Sequence, residues 1–62
     1  MADHRETVPI SGELVAPFES EKAWHFYDGS TEVWLPKSLC EWHEDEKLMI
    51  LPEWLAMREG LI

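Results

Sequence analysis

The sequence predicts an α+β fold: a small antiparallel β-sheet of three or four strands with one short C-terminal helix packed on a face. Three stretches predict it. In "KAWHFYDGSTEVWLP" two β-rich runs flank Asp28-Gly29, a hairpin pattern. "LMIL", residues 48–51, is a short continuous apolar run of strand length. "PEWLAMREGLI" opens with Pro52-Glu53 and closes with Gly60, which is helix punctuation at both ends. Residues 1–12 are expected to form a flexible N-terminal arm and 13–62 a single α+β domain.

Each element follows from its residues. The arm, "MADHRETVPISG", is polar with scattered Pro and Gly, and holds at most a short strand at Thr7–Ile10. Glu13–Ala16 reads as an edge strand, which Pro17 ends or confines to an edge because proline cannot donate to a ladder. A two-residue turn at Asp28-Gly29 would pair Tyr27 with Ser30, His25 with Glu32 and Ala23 with Trp34. Side chains alternate along a strand, so Trp24, Phe26, Val33 and Leu35 would share the core face. His25, Tyr27, Glu32 and Trp34 would share the other face, where Trp34 needs cover from the arm or a partner. Pro36 stops the second strand, "KSLCEWH" reads as a turn leading into a third, and "EDEK" as a charged turn before the apolar strand. The helix is too short to stand alone in water and must dock, through Trp54, Met57 and Leu61. Gly60 is its expected C′ stop, with Leu61 as the apolar residue beyond.

Size and charge bound the function. A chain of 62 residues buries only about 60% of its unfolded surface, so it needs a support. One cysteine excludes an internal disulfide, and four tryptophans point to aromatic packing instead. Thirteen acidic residues against five basic give a formal charge of −8. That charge argues against direct binding to nucleic acid or an anionic membrane, since both rest on Lys and Arg. It would draw in a basic partner, or it keeps a tryptophan-rich mini-protein soluble. No signal peptide or apolar run of about 20 residues is present, and the lone Cys40 fits a reducing compartment, so a cytoplasmic location is expected.

The stretch "CEWHEDEKL" poses the functional question. Cys40 and His43 have the spacing of metal ligands, but a structural zinc needs four, and the other histidines, His4 and His25, lie far off in sequence. A solvated turn with a buried cysteine is the competing reading. A Cys40–His43 or Cys40–His25 nucleophile is disfavoured, because acidic neighbours raise a thiol pKa and the chain has little volume for a pocket. No enzyme activity, metal or cofactor is therefore expected. The acidic surface remains: Glu41, Glu44, Asp45 and Glu46 in the third turn, with Asp28 and Glu32 on the hairpin. If both turns project from one side, six carboxylates share a surface. Duplex DNA carries about one negative charge per 1.7 Å of axis, so such a surface can occupy a groove shaped for phosphates. Trp42 and Tyr27, between the acids, can supply aromatic anchors. The plainer alternative is a charged turn that blocks edge pairing.

"EVWLPKSLCEW" followed by "PEWLAMREGLI" resembles small proteins of phages and mobile elements. In those, a W-[IL]-P-K-S segment precedes an acidic loop and a terminal P-E-W-L-A helix ending in Gly-Leu-Ile. The likeness covers roughly the last 40 residues. The short, acidic, tryptophan-rich chain also resembles phage-encoded anti-CRISPR inhibitors, above all the type I-C group, some of which act as DNA mimics. That resemblance implies a non-catalytic inhibitor whose partner is a basic, nucleic-acid-binding protein, a subunit of a type I CRISPR effector (Cascade), in the host bacterial cytoplasm. Those inhibitors share no common motif, so Asp28, Glu32, Glu41, Trp42, Glu44, Asp45 and Glu46 are expected at the partner from the charge argument alone. The alternative is a small phage adaptor or accessory protein that binds a protein partner through the Trp34 face.

Overall fold

Polar groups of an extended chain must find ladders, and in this protein they find two. The computed structural model describes residues 6–62, so His4 and the start of the expected arm lie outside the described residues. Six strands and one helix follow one another: β1 (Thr7–Ser11), β2 (Glu13–Glu19), β3 (Ala23–Tyr27), β4 (Glu32–Pro36), β5 (Glu41–His43), β6 (Leu48–Pro52) and α1 (Glu53–Arg58). They form two antiparallel three-stranded sheets, ordered β1-β6-β5 and β2-β3-β4, so the fold is α+β.

The single sheet expected from the sequence is divided, and the division lies at Gly12. Within the segment read as a loose arm, β1 pairs along its whole length with β6, from Thr7 opposite Pro52 to Ser11 opposite Leu48. Val8 and Ile10 face inward while Thr7, Pro9 and Ser11 face outward. Pro9 is tolerated because β1 is an edge of its sheet, where a missing N–H breaks no second ladder. Gly12 then carries the chain into the other sheet. Its N–H donates to the Lys47 carbonyl at 3.1 Å, and the next residue, Glu13, pairs with Tyr27 of β3. A methyl group on Gly12 would sit 2.4 Å from the Tyr27 carbonyl oxygen and 2.6 Å from the Phe26 ring. The glycine is needed for close approach between the sheets, not for the turn that its place after Ser11 suggests.

β2 runs through Pro17 to Glu19 as an edge strand, with an irregularity between Leu14 and Glu19, and the Ala16–Pro17 peptide is cis. The β3–β4 connection has four residues, not two. Tyr27 pairs with Glu32, His25 with Trp34 and Ala23 with Pro36. The side chain of Asp28 explains the longer loop: its Oδ1 accepts from the N–H groups of Ser30 and Thr31 at 2.8 and 2.6 Å. Only Gly29 carries positive φ there, at 102°. The register differs from the expected one by two residues, which leaves every side chain on its face. Phe26 and Leu35 are therefore fully buried, with Trp24 and Val33 packed beside them.

Met49 and Leu51 of the central strand β6 are fully buried, joined in the core by Ile10, Cys40, Leu55, Ala56 and Leu61. Burying each large side chain contributes about 1.5–3 kcal/mol relative to exposure. Pro52 is the helix N-cap, one position before the expected first turn. The helix ends as the sequence predicts. Gly60, at φ 79°, donates to the Met57 carbonyl at 3.2 Å and Leu61 to that of Ala56 at 2.8 Å, a Schellman closure. Its docking face differs from expectation. Leu55, Ala56 and Leu61 are buried, whereas Trp54 and Met57 are exposed. The Glu53 N–H donates to the Glu6 carbonyl at 3.0 Å, which ties the helix start to the chain entering β1. Among the described residues, no helix is long and apolar enough to cross a membrane.

Candidate functional site

The acidic third turn is built by a reversal that needs a left-handed residue. Between β5 and β6, Lys47 takes φ 55° and its N–H donates to the Glu44 carbonyl at 3.3 Å. That reversal leaves Glu44, Asp45 and Glu46 exposed. With His43 they line an open depression on the surface. Trp42 turns the other way: it packs against the core, edge-on to Phe26 with ring centroids 5.9 Å apart. Its Nε1–H still reaches out to donate to Glu44 Oε1 at 2.8 Å. The indole thus links the core to the turn.

Hydrogen bonds and ion pairs hold most of these carboxylates. Glu44 pairs with Lys47, and the Lys47 and Trp42 donors hold its carboxyl below the usual carboxylate range. Lys47 is shifted upward by Glu44 and then by the field of Glu13. Glu41 accepts from His43 Nε2 at 2.6 Å, and Glu46 lies 3.8 Å from the other nitrogen of that ring. On the hairpin, Asp28 is held below its ordinary value by the Thr31 and Ser30 amides. Glu32 Oε2 lies 2.6 Å from His25 Nε2.

The Gly12 corner brings the two turns together. Lys47 of the third turn and Tyr27 at the foot of the hairpin loop lie on its two sides. Asp28, Glu44, Asp45 and Glu46 all belong to the turns that flank the corner, and Glu32 opens β4 directly after the hairpin loop. Glu41 starts β5 opposite Ile50 and is joined to the third turn through His43. Sequence reasoning missed one acid: Glu13, exposed, follows the corner glycine, pairs with Tyr27 and lies close enough to Lys47 to act on its charge. Its only sequence signal was its position next to Gly12.

Cys40 and His43 do not converge. An offset of three along extended chain sends them to opposite faces; Cys40 is in the core and His43 faces outward with Glu41. Burial pushes the Cys40 thiol up to about 11, so its environment, not its acidic neighbours, raises it. Among the described residues, no group of three or more His, Cys, Asp and Glu side chains could hold a metal ion.

His25 takes the strand face that the sequence predicts. It lies on the outer face of its sheet, yet it is buried. Its ring stacks on Trp34, across the ladder, at 4.4 Å and 4°. Nδ1–H donates to the Pro17 carbonyl at 2.9 Å. The cover for Trp34 expected from the arm or a partner comes in part from this imidazole, and 46% of Trp34 stays exposed. No protein-family model, curated protein or solved structure matches this chain.

Proposed function

We propose that the protein is a non-catalytic inhibitor of the phage anti-CRISPR kind, which sets an acidic, DNA-like surface against a basic DNA-reading groove of a type I CRISPR effector in the bacterial cytoplasm. One observation carries the reading. The two acidic turns flank a single corner, Gly12, so Asp28, Glu32, Glu44, Asp45 and Glu46 gather around one end of the two sheets, and Glu13 follows that corner. Lys47 is the lysine beside them, and it is taken up by Glu44. The link to CRISPR effectors comes from the resemblance of the sequence and not from the geometry.

Competition tests it. Duplex DNA and this protein exclude each other from the effector, and the exclusion weakens as salt rises. Simultaneous binding with no loss of DNA affinity ends the proposal. Replacing Glu44, Asp45 and Glu46 by Lys abolishes inhibition while the fold survives, because exposed turn substitutions cost little. Full inhibition by that variant removes the third turn from the site. A second reading, an adaptor that docks through Trp34, is favoured by that indole's exposure. It predicts binding that depends weakly on salt and strongly on Trp34.

A further inference from the structure

Sheets protect their edges against stray pairing, and three of the four edges here are protected. β1 holds Pro9 and has α1 packed against it. β2 holds Pro17 and loses its register between Leu14 and Glu19. β5 is only three residues long. β4 differs. Its five residues pair with β3 without a break, its proline is its last residue, and it carries no lysine. Among the described residues no second strand or helix lies along it.

The ladder fixes which of its backbone groups are free. The Asp28 N–H donates to the Thr31 carbonyl at 3.2 Å, and the Lys37 N–H to the Lys22 carbonyl at 2.8 Å. Bonded pairs alternate along an antiparallel ladder, so Val33 and Leu35 bond β3, while Glu32, Trp34 and Pro36 turn their backbone groups outward. Pro36 fits this, since it has no N–H to leave unpaired, and its carbonyl accepts from Leu39 and Cys40. The N–H and carbonyl groups of Glu32 and Trp34 have no backbone partner among the described residues. Both residues are exposed.

We infer that this edge takes up an extended, basic segment of a partner protein as a further strand, antiparallel to β4. Glu32 and Trp34 each exchange both backbone groups with the incoming chain, which supplies the affinity of strand addition. The partner residue opposite Glu32 is lysine or arginine, because opposite charges facing across a ladder attract. The Glu32 side chain is 58% exposed even with His25 bonded to it. The partner residue opposite Trp34 is apolar, set beside a half-exposed indole. Antiparallel order then reads, from N- to C-terminus, apolar residue, any residue, basic residue. Charge names the occupant. Two chains of formal charge −8 repel each other, and Glu32 is the only charge on β4, whereas a basic strand is drawn in. The inference deepens the adaptor reading, on which it rests for its biological meaning, and moves the decisive contact from the indole to the backbone.

The experiment is a titration, followed by amide nuclear magnetic resonance, with a capped heptapeptide of threonine carrying valine at its fourth position and lysine at its second and sixth. In the antiparallel register the valine faces Trp34 and the second lysine faces Glu32. The Glu32 and Trp34 amides shift and gain protection from hydrogen exchange, whereas those of Val33 and Leu35, already bonded to β3, change little. N-methylation of the peptide at valine removes a donor and lowers affinity by about two- to tenfold. N-methylation at the next residue, whose N–H points to solvent, leaves affinity unchanged. Glu32→Gln lowers affinity by roughly two- to fivefold. Neutralising Glu44, Asp45 and Glu46 together weakens the peptide through the long-range field and leaves the N-methyl pattern intact, so the edge is tested apart from the DNA-mimic reading. Equal losses from the two N-methyl peptides, unmoved Glu32 and Trp34 amides, or no saturable binding overturns the inference. If Trp34→Ala abolishes binding of a peptide indifferent to N-methylation, the adaptor reading stands and strand addition falls. Protection of the same two amides with rising protein concentration and no peptide assigns the edge to a second copy and overturns the basic occupant.

Discussion

Gly12 and Gly29 look alike in the sequence and do different work. Gly29 uses the freedom of glycine: φ is 102° and an added methyl would meet nothing within 4 Å. Gly12 uses its lack of volume, because an added methyl would meet the Tyr27 carbonyl at 2.4 Å, and a carbonyl in a ladder cannot step aside. Gly12→Ala should therefore destabilise by about 1–3 kcal/mol through overpacking. At roughly 4–8 °C per kcal/mol for a domain of this size, a thermal melt resolves it. An unchanged melting temperature would show that the corner is looser than the distances say. Asp28 is decisive in another way. Its carboxylate holds two loop amides, so its folded-state pKa lies below the ordinary 3.8. Its stabilising effect is complete above the unfolded value and is lost as pH falls through the depressed folded value. Asp28→Asn keeps an acceptor oxygen but has no charge to titrate. Melts between about pH 5 and pH 2 should show the wild type losing more stability than the variant in that window.

Elements were legible in the sequence wherever a local pattern specified them. The β3–β4 hairpin was read from Asp28-Gly29 and its flanking alternation, and its core face came out right although its register was two residues off. The period of a strand is two, so an even error is invisible to a hydrophobic pattern. Only the Asx-type bonds of Asp28 distinguish the longer loop, and a sequence does not display which amides a side chain will choose. The β1 strand was half hidden for a related reason: Pro9 argues against a central strand, and nothing local says that β1 is an edge. The helix shows the limit most clearly. Its ends were readable from Pro52 and Gly60, but at six residues it has no periodicity long enough to fix a face. The face is chosen by what the helix packs on, β6 and β1, and the start is tied to a distant residue by the bond from Glu53 to Glu6. Truncation measures this directly. Leu55→Ala should cost about 2–5 kcal/mol as a buried leucine, and Met57→Ala should stay within about 0.5 kcal/mol as a surface change. Denaturant unfolding that ranks the two in reverse would restore the docking face expected from the sequence.

The whole molecule is where charge acts, and there the sequence supplied the amount but not the placement. A formal charge of −8 can be read from any composition count. That two acidic turns share a corner depends on Gly12 crossing between sheets, a long-range event with no local signature. Salt separates the consequences. The chain spans 38 Å in its longest dimension. At 0.01 M ionic strength the screening length is about 30 Å, so nearly every carboxylate repels every other; at 0.15 M it is about 8 Å, and repulsion is confined to near neighbours. Added salt should therefore stabilise the free protein while it weakens capture of a basic partner, two effects of opposite sign from one cause. Reversing Glu44, Asp45 and Glu46 to Lys changes the charge by two at each position, taking the formal total from −8 to −2. If the turns concentrate the repulsion, melting temperature should rise with salt in the wild type and barely move in that variant. A wild-type melting temperature independent of salt across this range would mean that the carboxylates are already balanced by their lysine partners, Lys47 and Lys37, leaving no surplus field for a basic groove to answer.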